Sequence, residues 1–338
     1  MKARAVYYDF PIVQDYALKN RRGELVMARI ALFGASGAIG KSIAAALKNE
    51  NESYRVVGRS PTSLQKSFGD DSFAEIKTWN PDDPQSIREA AEGMETIIYL
   101  VGVNYWQFQL HPVLMRKTID GAIAAGVQRI LLIGTVYSYG KPQSATVTED
   151  HPRMPHTFKG KMRKEQEDLL FAAHQSGKIK ACELRLPDFY GPNVDKSFMW
   201  SAFQAAKNGG RAQIVGPIDK PHQFVYVPDA GPIVAKILKT DGAWGLAWQF
   251  AGSGVITQRA FAEKIFAAAG RPSKFIVANK LMLRAFGLFN PLMRELVEMH
   301  YLQTSPILMD DSRLGQLLGG FRRTSYDEGI RETLEAMP

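Results

Sequence analysis

The chain has 338 residues, 45% apolar and 22% charged, which suits a soluble globular protein long enough for one large α/β domain or a domain plus a smaller lobe. Its single cysteine, Cys182, excludes a disulfide framework and a cysteine-based zinc site, and no run of roughly 20 apolar residues is present to span a bilayer. The net charge of +8 suits an anionic cofactor or substrate; the basic residues are scattered apart from Lys159, Lys161, Arg163 and Lys164, and no nucleic-acid motif accompanies them.

Residues 1–27 read as an extension ahead of the fold. They lack the apolar core of a secretory signal, so a cytoplasmic location is expected. Met27 opens a run that resembles a first strand, which makes it an alternative start.

From there, short β-rich runs alternate with helical ones. The pattern predicts strands at Arg29–Phe33, Tyr54–Val57, Glu75–Thr78, Thr96–Val101, Arg129–Ile133 and Ala181–Leu186. It predicts helices at Gly40–Asn49, Gln85–Glu92, Val113–Ala125 and Phe158–His174. This alternation implies a Rossmann-like, doubly wound parallel sheet, with ligands outside the carboxyl ends of its strands. We expect that core to span 28–186 and a mixed C-terminal region, 187–338, to form most of a smaller substrate lobe. In the stretch Lys280–Tyr301, Met282, Met293 and Met299 read as core filler.

The first strand runs into Gly34-Ala-Ser-Gly37-Ala-Ile-Gly40-Lys41-Ser42. A glycine turn before a helix N-terminus gathers free backbone N–H groups where a phosphate can sit. Two patterns fit: the dinucleotide turn, through Gly34, Ser36, Gly37, Ala38, Ile39 and Gly40, and a relaxed P-loop ending in Lys41-Ser42. A P-loop enzyme needs an acidic magnesium ligand at another strand end. The runs ending at Gly102 and Gly134 supply none, so the NTPase reading is remote. The second strand instead ends in Arg59-Ser60, with no carboxylate for a ribose 2′-hydroxyl. A basic residue there accommodates the 2′-phosphate, which favours NADP over NAD.

With these segments placed, the chain resembles the extended short-chain dehydrogenase/reductases, the NAD-dependent epimerase/dehydratase family. The resemblance covers about residues 28–335. Asn80-Pro-Asp-Asp83 is similar to the family's segment near the adenine, and Tyr99-Leu100-Val101-Gly102 to its fourth strand end along the cofactor. Thr135-Val-Tyr137-Ser-Tyr139-Gly resembles "S-x-x-x-Y-G", with Thr135 in the catalytic serine place. Arg185-Leu-Pro-Asp188-Phe-Tyr190-Gly-Pro resembles "R-x-x-N-x-Y-G-P", and Gln223-Phe224-Val-Tyr-Val-Pro-Asp229 resembles "D-F-V-Y-V-x-D".

The family's Tyr-x-x-x-Lys pair is missing. Aligning Glu167, Leu169 and Leu170 puts Lys159 at the tyrosine place and Arg163 at the lysine place; a shifted register gives Thr157 and Lys161. The resemblance therefore implies that Thr135 bonds the reacting oxygen, Tyr137 or Lys159 handles its proton, Arg163 holds the cofactor ribose, and Asp188 lies near the nicotinamide. Neighbouring cations would favour proton release from Lys159. Where nucleotide-sugar enzymes carry arginine stands His222, and the loop after the fourth strand holds Tyr105 and Trp106. With Tyr190 and Phe224 these suit a small, apolar carbonyl or hydroxyl compound. The six histidines show no ligand spacing, so no metal is expected.

The expected function is an NADP(H)-dependent oxidoreductase or epimerase-like enzyme with non-standard proton transfer. The alternative is a catalytically inactive NADP-binding sensor or scaffold. The expected partner is a small-molecule substrate, not nucleic acid or membrane, with a homodimer implied by analogy to the family.

Overall fold

The computed structural model describes residues 29–338 and, before them, a two-residue antiparallel strand pair, Leu18–Lys19 with Leu25–Val26. The expected extension and the alternative start at Met27 otherwise lie outside the described residues.

Seven parallel strands form the central sheet. In chain order they are β1 (Ile30–Phe33), β2 (Tyr54–Gly58), β3 (Ala74–Thr78), β4 (Thr96–Tyr99), β5 (Arg129–Thr135), β6 (Lys180–Leu186) and β10 (Ala247–Gln249). Their spatial order is β10-β6-β5-β4-β1-β2-β3, so the chain reverses direction across the sheet between β1 and β4. That reversal opens a crevice at the strands' carboxyl ends.

Strand side chains alternate between the faces, and both faces are covered. On one, Leu32, Ile98 and Leu131 pack against Ile43 of α1 (Ala38–Asn49) and Ile233 and Ile237 of α7 (Val227–Leu238). On the other, Phe33, Ile97, Tyr99 and Leu132 pack against Ile87 of α3 (Pro84–Ala91), Met115 of α4 (Leu110–Ala124) and Leu170 of α5 (Phe158–Gln175). A helix absent from the expected set, α2 (Pro61–Phe68), follows β2. Its signal was present: Ser60 caps it by accepting from the Ser63 N–H at 3.2 Å, and Pro61 occupies the first helical position.

The expected boundary at residue 186 does not cut the molecule cleanly. β10 returns to the sheet's edge against β6, and α7 lies on α1. The rest of the C-terminal region makes a separate layer. There β7 (Asp188–Tyr190) runs parallel to β9 (Pro221–Tyr226), which pairs with β11 (Val255–Thr257). Beyond these, β8 (Ala212–Val215) pairs with β12 (Phe275–Ala278). An aromatic core of Tyr190, Phe203 of α6 (Trp200–Asn208), Phe224, Tyr226, Phe261 of α8 (Gln258–Ala268) and Tyr326 holds the layer together. Two helices, α9 (Lys280–Phe286) and α10 (Pro291–Met299), form a hairpin after β12.

Candidate active site

The glycine loop forms between β1 and α1. Gly34 adopts φ +89°, and a Cβ there would lie 2.8 Å from the Leu100 carbonyl, so loop and β4 end touch through backbone. A Cβ on Gly40 would lie 2.2 Å from the Ala35 oxygen, so the turn closes only over glycine. Gly37 differs: nothing stands within 4 Å of its missing side chain. It caps α1 without a side-chain bond, and no acid occupies the helix's first turn. The loop thus presents a bare cradle at a positive helix end, which suits a pyrophosphate.

Ser42 serves packing instead of magnesium. Within α7, Pro232 has no N–H to offer the carbonyl of Pro228, four residues earlier. The Ser42 hydroxyl donates to that carbonyl at 3.3 Å and accepts from the Gly231 N–H at 3.0 Å. This removes the P-loop reading.

Arg59 and Ser60 lie exposed at the end of β2, and Arg59 has no hydrogen-bond partner among the described residues. Asn80 is also exposed, and its side chain accepts from the Asp82 N–H at 3.0 Å, which fixes the turn ahead of α3. Leu100, Val101 and Gly102 extend β4 along the crevice beside Gly34.

Thr135 ends β5, and its hydroxyl accepts from the Tyr137 N–H at 3.3 Å. The Tyr137 hydroxyl pairs with that of Tyr105 at 2.9 Å. Burial, then the paired Tyr105, then the Asp188 carboxylate hold the Tyr137 phenol well above its ordinary pKa. Burial and Asp188 also raise Tyr105, against the bond from Tyr137. Phe108 stacks on Tyr137 with ring centres 6.3 Å apart, while Trp106 stands half exposed at the rim.

Asp188 accepts from His222 Nε2 at 2.7 Å. The register explains this pair: Asp188 sits opposite Phe224, and His222 lies two residues earlier on the same face of β9. The sequence offered no carboxylate to orient His222; the β7–β9 ladder supplies one.

Lys159 does not fit the proton-donor expectation. Its ammonium, only 1% exposed, lies 2.5 Å from Glu295 and 2.6 Å from Glu298, both on α10. Its backbone N–H also donates to Glu298 at 3.1 Å. Carboxylates, not the expected cations, surround it, so it anchors α10 to α5. Arg163, one turn on, is also buried: its Nη1 donates to Gln166 at 2.8 Å and meets His111 Nδ1 at 3.2 Å. Burial, then Arg163, pushes His111 down to about 2, so the imidazole is neutral and accepts from the guanidinium. Burial lowers Arg163 as well, yet guanidinium stays charged.

Two expected substrate contacts are core residues. Tyr190 and Phe224 are fully buried and pack on Phe261 at 4.9 and 4.8 Å between ring centres. Tyr139 packs too, with its hydroxyl accepting from Arg185 at 2.7 Å. The site residues that sequence reading missed are Glu295 and Glu298, which lie 136 and 139 positions from Lys159. No local pattern joins such distant groups.

The parallel sheet, the glycine cradle and the crevice at the strand ends define a Rossmann-type dinucleotide-binding protein. The family model described as the NAD dependent epimerase/dehydratase family matches residues 30–245, and the chain belongs to that family. A 2′-dehydrokanamycin reductase of Streptomyces kanamyceticus is 25% identical over 256 residues, 72% of this chain and 67% of that protein. An epimerase family protein of Mycobacterium leprae is 27% identical over 135 residues, 36% of this chain and 41% of its own. The fold is shared with the dTDP-glucose 4,6-dehydratase of Streptomyces venezuelae, solved with NAD (TM-score 0.75, 16% identity, 91% of this chain and 96% of that one). It is shared also with the UDP-N-acetylglucosamine 4-epimerase of Bacillus cereus (TM-score 0.74, 17% identity, 92% and 96%).

Proposed function

We propose that this protein is an NADP(H)-dependent oxidoreductase acting on a small, largely apolar carbonyl or hydroxyl compound. The observation that carries the reading is the Tyr105–Tyr137 hydroxyl pair, near Asp188 and on the turn that Thr135 caps at the carboxyl end of β5. The similar proteins named above include a reductase, a dehydratase and an epimerase, which supports redox chemistry at a carbon–oxygen bond.

The bare Gly37 cradle would hold the pyrophosphate, and exposed Arg59 the 2′-phosphate. The cofactor, when bound, supplies the hydride exchange. The chain's own groups then orient the substrate and move a proton. Thr135 donates its hydroxyl to the substrate oxygen. The Tyr137 hydroxyl gives its proton to the alkoxide as carbonyl becomes alcohol. A phenol raised by burial still yields a proton to an alkoxide, which is the stronger base. Tyr105 bonds the phenolate left behind. Asp188, bonded to His222, favours the protonated phenols, and a proton from solvent restores Tyr137 at the end of the cycle.

The aromatic loop Tyr105–Phe108 supports an apolar substrate, as does His222 in place of a diphosphate-binding arginine. The test is NADPH absorbance over a panel of aldehydes, ketones and enones. We expect turnover that falls about 10²–10⁴-fold in Tyr137→Phe, the usual worth of a general acid. Tight NADPH binding without turnover across the panel would instead establish the sensor reading, which the missing Tyr-x-x-x-Lys pair favours.

A further inference from the structure

The α9–α10 hairpin displays five large apolar side chains that the fold leaves uncovered, and β12 just before it displays two more. They are Ile276 (43% exposed) and Val277 (37%) on β12, then Leu281 (70%), Phe286 (54%), Leu288 (80%), Phe289 (89%) and Leu292 (41%). Scattered exposed apolar residues need no explanation, but five gathered within the twelve residues Leu281–Leu292 of one hairpin mark an interaction surface. Leu283 and Met299, at 1% and 3% exposure, fix the hairpin to the body.

The tip is built rather than loose. Asn290 caps α10 by accepting from the Leu292 N–H at 2.9 Å. Gly287 brings the two helices together, since a Cβ there would lie 3.0 Å from the Arg294 Cα. Between these two residues stand Leu288 and Phe289, the two most exposed of the set.

Charge decides what covers the face. Five cations lie on the hairpin or just before it, Arg271, Lys274, Lys280, Arg284 and Arg294; the hairpin's two carboxylates, Glu295 and Glu298, turn to buried Lys159, and Glu295 also meets Arg294 at 3.6 Å. All five cations are exposed. A second copy of the chain, docked face to face about a two-fold axis, would set this cationic rim against itself. An anionic lipid surface matches it on both counts: the cations meet headgroups, and the Leu288–Phe289 tip enters the boundary of the acyl region.

We propose that the α9–α10 hairpin docks the protein onto an anionic lipid surface. The expectation of no membrane partner rested on the lack of a spanning run, which a peripheral hairpin does not need. The face is joined to the candidate site, because α10 also carries Glu295 and Glu298, the partners of Lys159. The docking claim itself does not depend on the proposed chemistry.

The experiment is sedimentation of the full chain with vesicles of phosphatidylcholine alone or with 30% phosphatidylserine, a fraction on the order of that in anionic biological leaflets. We expect binding to the mixed vesicles and at least tenfold weaker binding to the neutral ones. Leu288→Ser with Phe289→Ser should lower partitioning at least tenfold, from the loss of two buried apolar groups. Arg284→Gln should lower it about fivefold. These side chains point away from the body, so circular dichroism and melting should match the parent. Equal binding to both vesicle types, or binding that the tip variant leaves unchanged, overturns the proposal. So does a concentration-dependent dimer, seen by analytical ultracentrifugation, that the tip variant abolishes: that result assigns the face to a second copy.

Discussion

Replacing Lys159 separates an anchor from a proton donor. Lys159→Met keeps the aliphatic stem but removes an ammonium held 2.5 and 2.6 Å from two carboxylates. Breaking a buried ion pair by deleting one partner costs about 3–5 kcal/mol, chiefly because the other charge is left unpaired. Here the lysine is 1% exposed, but Glu295 and Glu298 keep 19% and 27% side-chain exposure. Residual hydration therefore places the loss near the lower end, about 3 kcal/mol. With a urea m-value of about 3 kcal/mol/M, the midpoint should drop by about 1 M. Adding Glu295→Gln and Glu298→Gln to Lys159→Met removes the stranded charges and should restore at least half of the loss. The assay is urea unfolding followed by circular dichroism, with NADPH turnover measured in parallel for the folded variants. The anchor reading expects retained turnover and an unchanged pH–rate profile in the triple variant. A folded Lys159→Met protein with an undisturbed midpoint but no turnover would refute the reasoning and return Lys159 to the chemistry.

Four further outcomes follow from the geometry. Gly37→Ala should leave the urea midpoint in place, because its Cβ meets nothing within 4 Å, while NADPH affinity measured by calorimetry falls; equal affinity would remove the cradle argument. Arg59→Ala should cut the preference for NADPH over NADH by roughly 10–100-fold, the worth of hydrogen bonds to a charged group; an unchanged ratio of kcat/KM values speaks against the 2′-phosphate role. Ser42→Ala leaves the Pro228 carbonyl and the Gly231 N–H without their partner and should cost about 1–3 kcal/mol in urea unfolding, with no nucleotide-hydrolysis phenotype. Stability should also fall as pH rises toward 8. Burial raises the Glu183 carboxyl to about 8, against the pull of Arg185, so the folded state binds a proton that the unfolded chain releases from about pH 4–5 upward. Glu183→Gln should flatten that slope, and an identical slope in the variant would discard Glu183 as its source.

The sheet was legible because its strands carry local signatures. Each strand run from Ile30 to Leu186 is short, bounded by turn residues and followed by a helical period; of the elements in or against the sheet, α2, α7 and the returning strand β10 escaped. β10 has just three residues, too few to show a period, and it joins the sheet only by pairing with β6. The glycine loop was legible for a stronger reason: Gly34 and Gly40 are forced by backbone approach, so the letters themselves record the geometry. The walls of the site were not legible in this way. Tyr190 and Phe224 sit in family-like segments yet face the aromatic core, because a one-residue step along a strand exchanges faces and no motif fixes which is inward. His222 had no orienting carboxylate until the register of β9 on β7 brought Asp188 to it. Lys159 misled more: its sequence neighbours are cations, while its spatial neighbours are carboxylates from a distant helix.

The departures from the family pattern form one connected set. In the family the tyrosine place on this helix carries the proton donor, and its lysine partner lies one turn on. Here the first place holds an ammonium, which cannot remain buried without counter-charge. Glu295 and Glu298 supply that charge, and in doing so they draw α10 against α5 and the Tyr105 loop. In the chemistry we propose, the proton role falls to a group outside the helix. The Tyr137 phenol, paired with Tyr105 over Phe108, is a hydroxyl so placed. The ammonium of Lys159 and the packing of α10 on α5 thus depend on one another. Restoring a tyrosine at position 159 alone would be expected to strand Glu295 and Glu298 and loosen α10, not to recover the family's chemistry. Lys159→Tyr should therefore unfold at lower urea than the parent, and only the added changes Glu295→Gln and Glu298→Gln should bring it back. A stable Lys159→Tyr single variant with increased turnover would show that the carboxylates are incidental and that the family's proton route is still available to this chain.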